Sequence, residues 1–447
     1  MNNETAPRET ASRATSPRFS TGRLLRSVLI IISAAMASGF FQSILMNTGY
    51  MTSWIEQICG LGAAAAGLFP TAAEIVSIVS VLICGILALK IPLSRIFFAG
   101  AAACIAGLFG MYFFPSVPGL IIFYVILFGL GTSGVAYTII FGALLAILDK
   151  KYAAAAAGVL SCCGTGVSIF LFPLVTGITA SLPVRSVFLI LGIAGLCTLP
   201  LFYIIAKQKK SPAGSPADAD TAEESGDSAE SEALMDSTEK ISLKSVAKEL
   251  LTSKLFYMLC LFFFLYGICD RAAFASIPWF FQLEFGTSGA FALSFFDIVY
   301  VAGAVACGLM ITKFKSKMLF LGVMFAVLAF IFSPVVSPET MTAVVIILVP
   351  AALAVAAVGP LLSLTVADIA GAAKFSAVYG LLYVIKQTGA AAEAALAGLG
   401  KSLFPDVYNI NPFLWVAAAA AAFLAILYGI RMMRQKKIEA GGGKLQE

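Results

Sequence analysis

The sequence predicts an all-α integral membrane protein with twelve transmembrane helices arranged as two six-helix halves. Three observations predict it: the composition, the spacing of the apolar runs, and the placement of lysine and arginine. Apolar residues make up 60% of the 447 and charged residues 12%, at a mean hydropathy of +0.96. A soluble domain carries about 25% charged residues, so half the usual charge is missing. The roughly 268 apolar residues suffice for about ten to thirteen spans of roughly 20 residues each, which excludes a single anchor on a soluble domain.

Residues 1–23 are rich in Ser, Thr, Pro and Arg and lack the apolar content to pack, so they read as a flexible arm. Apolar runs follow at 24–47, 62–89, 94–115, 118–148, 152–181 and 185–207, separated by Pro, Gly or charge. The first run has full span length, longer than the roughly 7–15 residues of a signal core, and reads as the first helix. The longest polar stretch, 208–251, comes next. Its 211–239 part holds nine acids and no base and reads as disordered linker. In the segment after it, Ile241, Val246 and Leu250 share a face opposite Lys244 and Lys248, as in a short helix on the inner membrane surface. Six further runs fall at 252–278, 287–312, 317–336, 340–368, 375–400 and 411–433, and a tail occupies 435–447. The two halves are therefore 24–207 and 252–434.

Lysine and arginine test this placement, because they collect in cytoplasmic loops. Twenty-five of the 29 lie on the amino-terminal side of the predicted layout, and the opposite loops hold only Arg185 and Lys401. An even number of spans, a multi-pass cell-membrane location and two cytoplasmic termini follow. The net charge of +5 is then orientation, not a basic surface for nucleic acid.

Histidine is absent, so His-ligated metal sites and Ser/His/Asp triads have no ligand or base, and neither a metal nor a cofactor is expected. The nine cysteines are an odd number lying almost wholly in apolar runs, where they read as small packing residues and not a disulfide framework. The string Gly129 to Gly134 matches a dinucleotide fingerprint but follows no strand and sits inside a span, so its glycines read as close helix contacts. The string Gly398 to Ser402 imitates a phosphate loop but lacks the leading glycine, Ala395 standing there.

An ionised group in hydrocarbon costs about 2.5–3.5 kcal/mol or more, so charges retained inside spans are functional candidates. They are Glu74 in span 2, Asp270 and Arg271 in span 7, Asp297 in span 8, and Lys386 and Glu393 in span 11. Pairing with one another as structural glue remains open for each, and snorkelling to the interface for Asp270, Arg271 and Glu393. Tyr379, Tyr383, Lys386 and Glu393 follow spacings of 4, 3 and 7 along one helix face, giving a tyrosine-lined cation suited to an anion. Asp297 and Tyr300 likewise share a face. Without histidine, Glu74, Asp270, Asp297 and Glu393 are the candidate proton carriers.

Three stretches resemble the major facilitator superfamily, within it the monocarboxylate and oxalate/formate transporter branch. Around span 5 they are Lys150 and Lys151, Gly158, the pair Gly164 and Gly166, and Pro173. After span 10 they are Asp368, Gly371, Tyr379, Gly380 and Lys386. Between spans 2 and 3, Gly85 and Leu87 match the superfamily's loop, but Leu89 stands where it has aspartate. The resemblance implies that Lys386 grips a substrate carboxylate. The branch's second cation, an arginine in span 8, is replaced by Ala304, which weakens the expectation of a dicarboxylate; Arg271 could supply the second charge from span 7. Asp297 lies where monocarboxylate carriers place a functional aspartate.

The expectation is a monomeric secondary transporter in the lipid bilayer, moving a small organic anion, a mono- or dicarboxylate, by alternating access. Coupling would be by proton symport or anion exchange. Lys386 would bind the carboxylate, helped by Arg271, Tyr379, Tyr383 and Tyr300. Asp297 or another buried acid would carry the proton. Three rivals stay open: a carrier of a neutral or cationic solute that uses the acids, a non-transporting sensor on the same scaffold, and an intramembrane enzyme.

Overall fold

In hydrocarbon every backbone N–H and C=O must be satisfied within its own segment, and the apolar runs accordingly close into helices. A computed structural model describes residues 21–148, 150–179, 182–207, 252–276, 288–314, 316–331, 333, 341–403 and 412–440. Residues 1–20, the linker with its membrane-surface helix, and residues 441–447 lie outside the described residues. By length and apolarity seven stretches qualify to cross a membrane, or eight if bent span 5 is counted as one. One of them, Ile346–Glu393, holds both span 10 and span 11, and the shorter apolar helices Ser294–Met310, Lys317–Ile331 and Val416–Ile430 supply spans 8, 9 and 12. Twelve spans result among the described residues.

Their boundaries differ from the apolar runs in three places. Span 1 starts at Thr21, and span 12 runs Pro412–Ala440, so the first residues of the expected tail continue the helix. The gap between spans 1 and 2 is a helix, Thr48–Cys59, that buries Met51, Trp54 and Ile55 at the i, i+3, i+4 spacing of one face. It ends at Gly60, whose φ of +64° favours glycine. The third difference lies between spans 10 and 11, which form one helical run, Met341–Leu403, interrupted at Gly371, where φ is +68° and ψ 167°.

Close helix crossings follow a repeat, and glycines mark them. A Cβ on Gly39 of span 1 would stand 2.6 Å from the Cys163 carbonyl oxygen of span 5, while one on Gly267 of span 7 would overlap the Lys386 carbonyl of span 11. Gly129 of span 4 abuts Ala73 of span 2; Gly303 of span 8 abuts Leu353 of span 10. Gly195 of span 6 abuts Ile105 of span 3, and Gly322 of span 9 abuts Ile426 of span 12. Each crossing recurs six spans later, as expected of two repeats related by an axis along the membrane normal. Small residues allow this because helix association in lipid relies on close packing rather than hydrophobic burial.

The same rule joins the halves. Gly85 of span 2 lies against Ser376 of span 11, at 2.6 Å from a Cβ to the carbonyl oxygen, and Gly308 of span 8 against Gly158 of span 5, at 2.8 Å from a Cβ to Cα. The Ser376 hydroxyl also donates to the Thr138 carbonyl of span 4 at 3.0 Å. These contacts lie near Lys90, Lys150, Lys313 and Lys374, so the halves meet at the lysine-rich end. Leu89 is buried there. Among the described residues, no glycine approach of this kind joins the halves at the opposite end.

Candidate functional site

The crossing of spans 7 and 11 puts two charges of opposite sign together in the middle of the bundle. Gly267 and Gly389 remove the side chains that would hold the two backbones apart. One turn further along span 7, the Asp270 Oδ2 then lies 2.7 Å from the Lys386 Nζ, with the two side chains 19% and 17% exposed. Both are reachable, yet neither is in bulk water. Lys386 also stands 4.6 Å from the centroid of the Tyr266 ring, where the ring's negative face attracts the ammonium. The Tyr266 hydroxyl interacts with Asp270, one helical turn away on the same face. The ammonium therefore has a carboxylate and an aromatic face as partners and keeps a partly exposed side, so an arriving anion can compete with Asp270 for it.

The other expected residues distribute around this pair. Tyr379 is buried, with its hydroxyl 3.1 Å from the Ser363 hydroxyl of span 10 and its ring 5.4 Å from that of Tyr137 in span 4. Tyr383 receives a hydrogen bond from Gln387 Nε2 at 3.1 Å and lies within electrostatic range of both Glu74 and Asp270. Glu74 also acts on Tyr124 of span 4. Tyr300 is buried between Asp270 and Asp297, and its hydroxyl sits 3.5 Å from the Ser161 carbonyl of span 5. Asp297 is half-buried on the same face, and Glu393 is buried at 3% exposure further along span 11. Arg271 is exposed, turned about 100° around the helix from Asp270, and is not brought to the ion pair.

Most of the remaining motif residues lie at helix contacts. Gly166 faces Val301 of span 8, while Gly164 faces Gln42 and Met46 of span 1. Gly380 faces Val81 and Gly85 of span 2, and Pro173 lies inside the outer segment of span 5. Asp368 forms an exposed ion pair with Lys317 at the lysine-rich surface. Ala304 is fully buried where spans 5 and 8 cross, its carbonyl against Gly158. An arginine there would have to fit into a seam closed by glycine, which is the physical reason for the small residue.

Residues missed from sequence are Tyr266, Tyr137, Ser363, Gly267 and Gly389. The first had a signal, since it precedes Asp270 by four residues. The others had none: glycine and serine are common in apolar helices, Tyr137 has no charged residue near it in sequence, and only the crossings give them partners.

Comparison with known proteins gives a consistent picture of the fold. The family model of the Major Facilitator Superfamily matches residues 34–393. No curated protein matches the sequence. Among solved structures, the chain is similar to the proton:xylose symporter XylE bound to 6-bromo-6-deoxy-D-glucose, at 12% identity and a TM-score of 0.65, covering 91% of this chain and 95% of that one. It is also similar to the human organic anion transporter MFSD10 (TETRAN), at 12% identity and 0.66, covering 90% and 99%. A third is the E. coli fucose:proton symporter FucP, at 14% and 0.64, covering 90% and 98%. At such identities the likeness is one of fold.

Proposed function

The chain belongs to the major facilitator superfamily, a family of membrane transporters, and from that premise we propose that it carries a small organic anion, a carboxylate, bound at Lys386. The observation that supports this is the 2.7 Å pair between Lys386 and Asp270 in the middle of the bundle. Two acceptors, Asp270 and a substrate carboxylate, compete for one ammonium. When the substrate takes it, Asp270 is left as an unpaired carboxylate away from bulk water, and a proton removes that charge. Binding of anion and of proton therefore assist each other, which is proton symport. With Arg271 facing away, the cationic part of the site is a single lysine. Tyr300, Tyr379 and Tyr383 supply hydroxyls around it, and Asp297 is a second acid on the same pathway. Both termini are cytoplasmic in this reading, with uptake and export equally compatible.

Competition separates this from a carrier of cationic solutes, a reading favoured by Glu74 and Asp297, which leave acids in excess of bases around the centre. With the purified protein in vesicles, monocarboxylates are expected to be taken up and to compete with one another. Competition by organic cations but by no carboxylate would reverse the assignment.

The coupling has a definite sign. Because anion and proton move together in this reading, uptake should rise several-fold when the external pH is lowered from about pH 8 to about pH 6 at fixed internal pH. Asp270→Asn removes the proposed proton carrier and should flatten this profile while leaving carboxylate binding in place. A slope in Asp270→Asn equal to the wild type would assign the proton to another acid, Asp297 and Glu74 being next.

A further inference from the structure

Span 4 is broken at the level of Tyr379, about two helical turns from Lys386, and the break has the chemistry of a second subsite. This inference rests on the carboxylate reading above. The span runs Val117–Gly119, a wider-coiled stretch Leu120–Phe128, then Gly129–Gly134. Val135 and Ala136 leave the helix, Ala136 with φ −64° and ψ 157°, and a new helix of 11 residues starts at Tyr137 and ends at Ile147. An interrupted helix within the bilayer is tolerated only where other groups satisfy the backbone it frees. On the carbonyl side this is done from span 1: the Ser38 hydroxyl donates to the Val135 carbonyl at 2.7 Å, and Gln42 Nε2 to the Thr132 carbonyl at 3.0 Å.

The N–H side is different. The first turn of the new helix presents orphan donors and a partial positive charge. Two hydroxyls stand buried in that turn: that of Tyr137, whose polar neighbour is Ser363 of span 10, and that of Thr138, which has no hydrogen-bond partner among the described residues. Thr138 is 1% exposed. Side chains in a helix lean towards its N-terminus, so the Thr138 hydroxyl leans back over the break. The Tyr137 ring packs against Tyr379 of span 11, two turns below Lys386 on nearly the same face. The Thr138 hydroxyl is closed off from the surface, and a buried orphan in a native protein calls for an explanation.

The repeat sharpens the point. The crossing of Gly39 with Cys163 corresponds to that of Gly267 with Lys386. Stepping three residues on, Gln42 takes the place of Asp270, and Cys163 that of Lys386. The amino-terminal half thus has no charge at the equivalent positions and instead offers dipoles: the N-terminus at Tyr137, the Tyr137 hydroxyl beside Ser363, and the unpartnered Thr138 hydroxyl.

We propose that this N-terminus, with Tyr137 and Thr138, is a second ligand subsite that receives an oxygen function at the far end of a carboxylate held by Lys386. The substrate class is an extended carboxylate with a terminal carboxyl or hydroxyl group. Tyr379 and Lys386 are separated by at most about 10 Å along the helix axis, the length of a chain of roughly six carbons.

Binding of hexanoate, its ω-hydroxy derivative and adipate to the purified full-length protein tests this, by calorimetry or thermal shift. The wild type should bind the two oxygenated ligands about tenfold more tightly than hexanoate, as one or two added hydrogen bonds imply. In Tyr137→Phe with Thr138→Val the ratio should fall to within about twofold. The single variant Tyr137→Phe, which removes one oxygen atom, reads the same change if the double variant does not fold, and Thr138→Ser should keep the wild-type ratio. An equal affinity for all three ligands in the wild type, or an unchanged ratio in the variants, overturns the subsite alone. If Lys386→Ala binds all three as well as the wild type does, or none binds the wild type, the carboxylate reading falls and the subsite with it.

Discussion

Replacing Lys386 by alanine is expected to lower carboxylate uptake into vesicles by at least about a hundredfold, the largest effect of any single substitution in the central site. Removing one partner of a hydrogen-bonded, desolvated charge pair costs about 2–5 kcal/mol, and each 1.4 kcal/mol is about a factor of ten. The loss has two sources. The substrate carboxylate loses the only central cation among the described residues, and Asp270, 19% exposed, is left unpaired with its charge facing the incoming anion. The double variant Lys386→Ala with Asp270→Asn distinguishes binding from folding, because a neutral pair removes the stranded charge. It should recover the wild-type melting temperature and still transport nothing. Uptake by either variant within a few-fold of the wild type would refute the role of the lysine.

Gly158→Leu should reduce transport by a comparable amount for a different reason. Gly158 and Gly308 touch backbone to backbone where the halves meet at the lysine-rich end. A side chain added there cannot be accommodated by rotating a flexible neighbour. Overpacking costs about 1–3 kcal/mol, which shifts an equilibrium between closed and open seam by about 5- to 150-fold. Transport needs both states, so turnover should fall while carboxylate binding to the purified protein persists. Gly177→Leu is the control on the same span: no atom lies within 4 Å of a Cβ at Gly177, and uptake should stay within about twofold. Equal transport by Gly158→Leu and wild type would mean that the seam does not close during the cycle.

The charges and the crossings differ in how far they could be read in advance. Lys386 stood out because an ammonium in an apolar run has no inexpensive explanation. Asp270 stood out for the same reason, but as one acid among four, and nothing in the sequence made it the partner. Arg271 was indistinguishable from Asp270 by depth. The turn of about 100° between neighbouring helical residues puts one at the ion pair and leaves the other exposed. The glycine string in span 4 was legible as a packing element, and Gly131 and Gly134 do abut Cys104 and Gly100 of span 3. The break just after it was not legible, because Val135 and Ala136 are ordinary helix residues. What permits the break is Ser38 and Gln42, about 90 residues earlier in the chain.

By itself the sequence determined the membrane setting, the twelve spans, the two halves and the short roster of buried charges. Those properties are local: a run is apolar or not, and a charge lies inside it or not. Tertiary structure alone decided which acid neutralises Lys386, where the halves touch, and where a span could afford to lose its hydrogen bonds. Each of these is a pairing between residues distant in the chain. Pairing is fixed by how closely two backbones approach, which single-residue glycines control and hydropathy does not record.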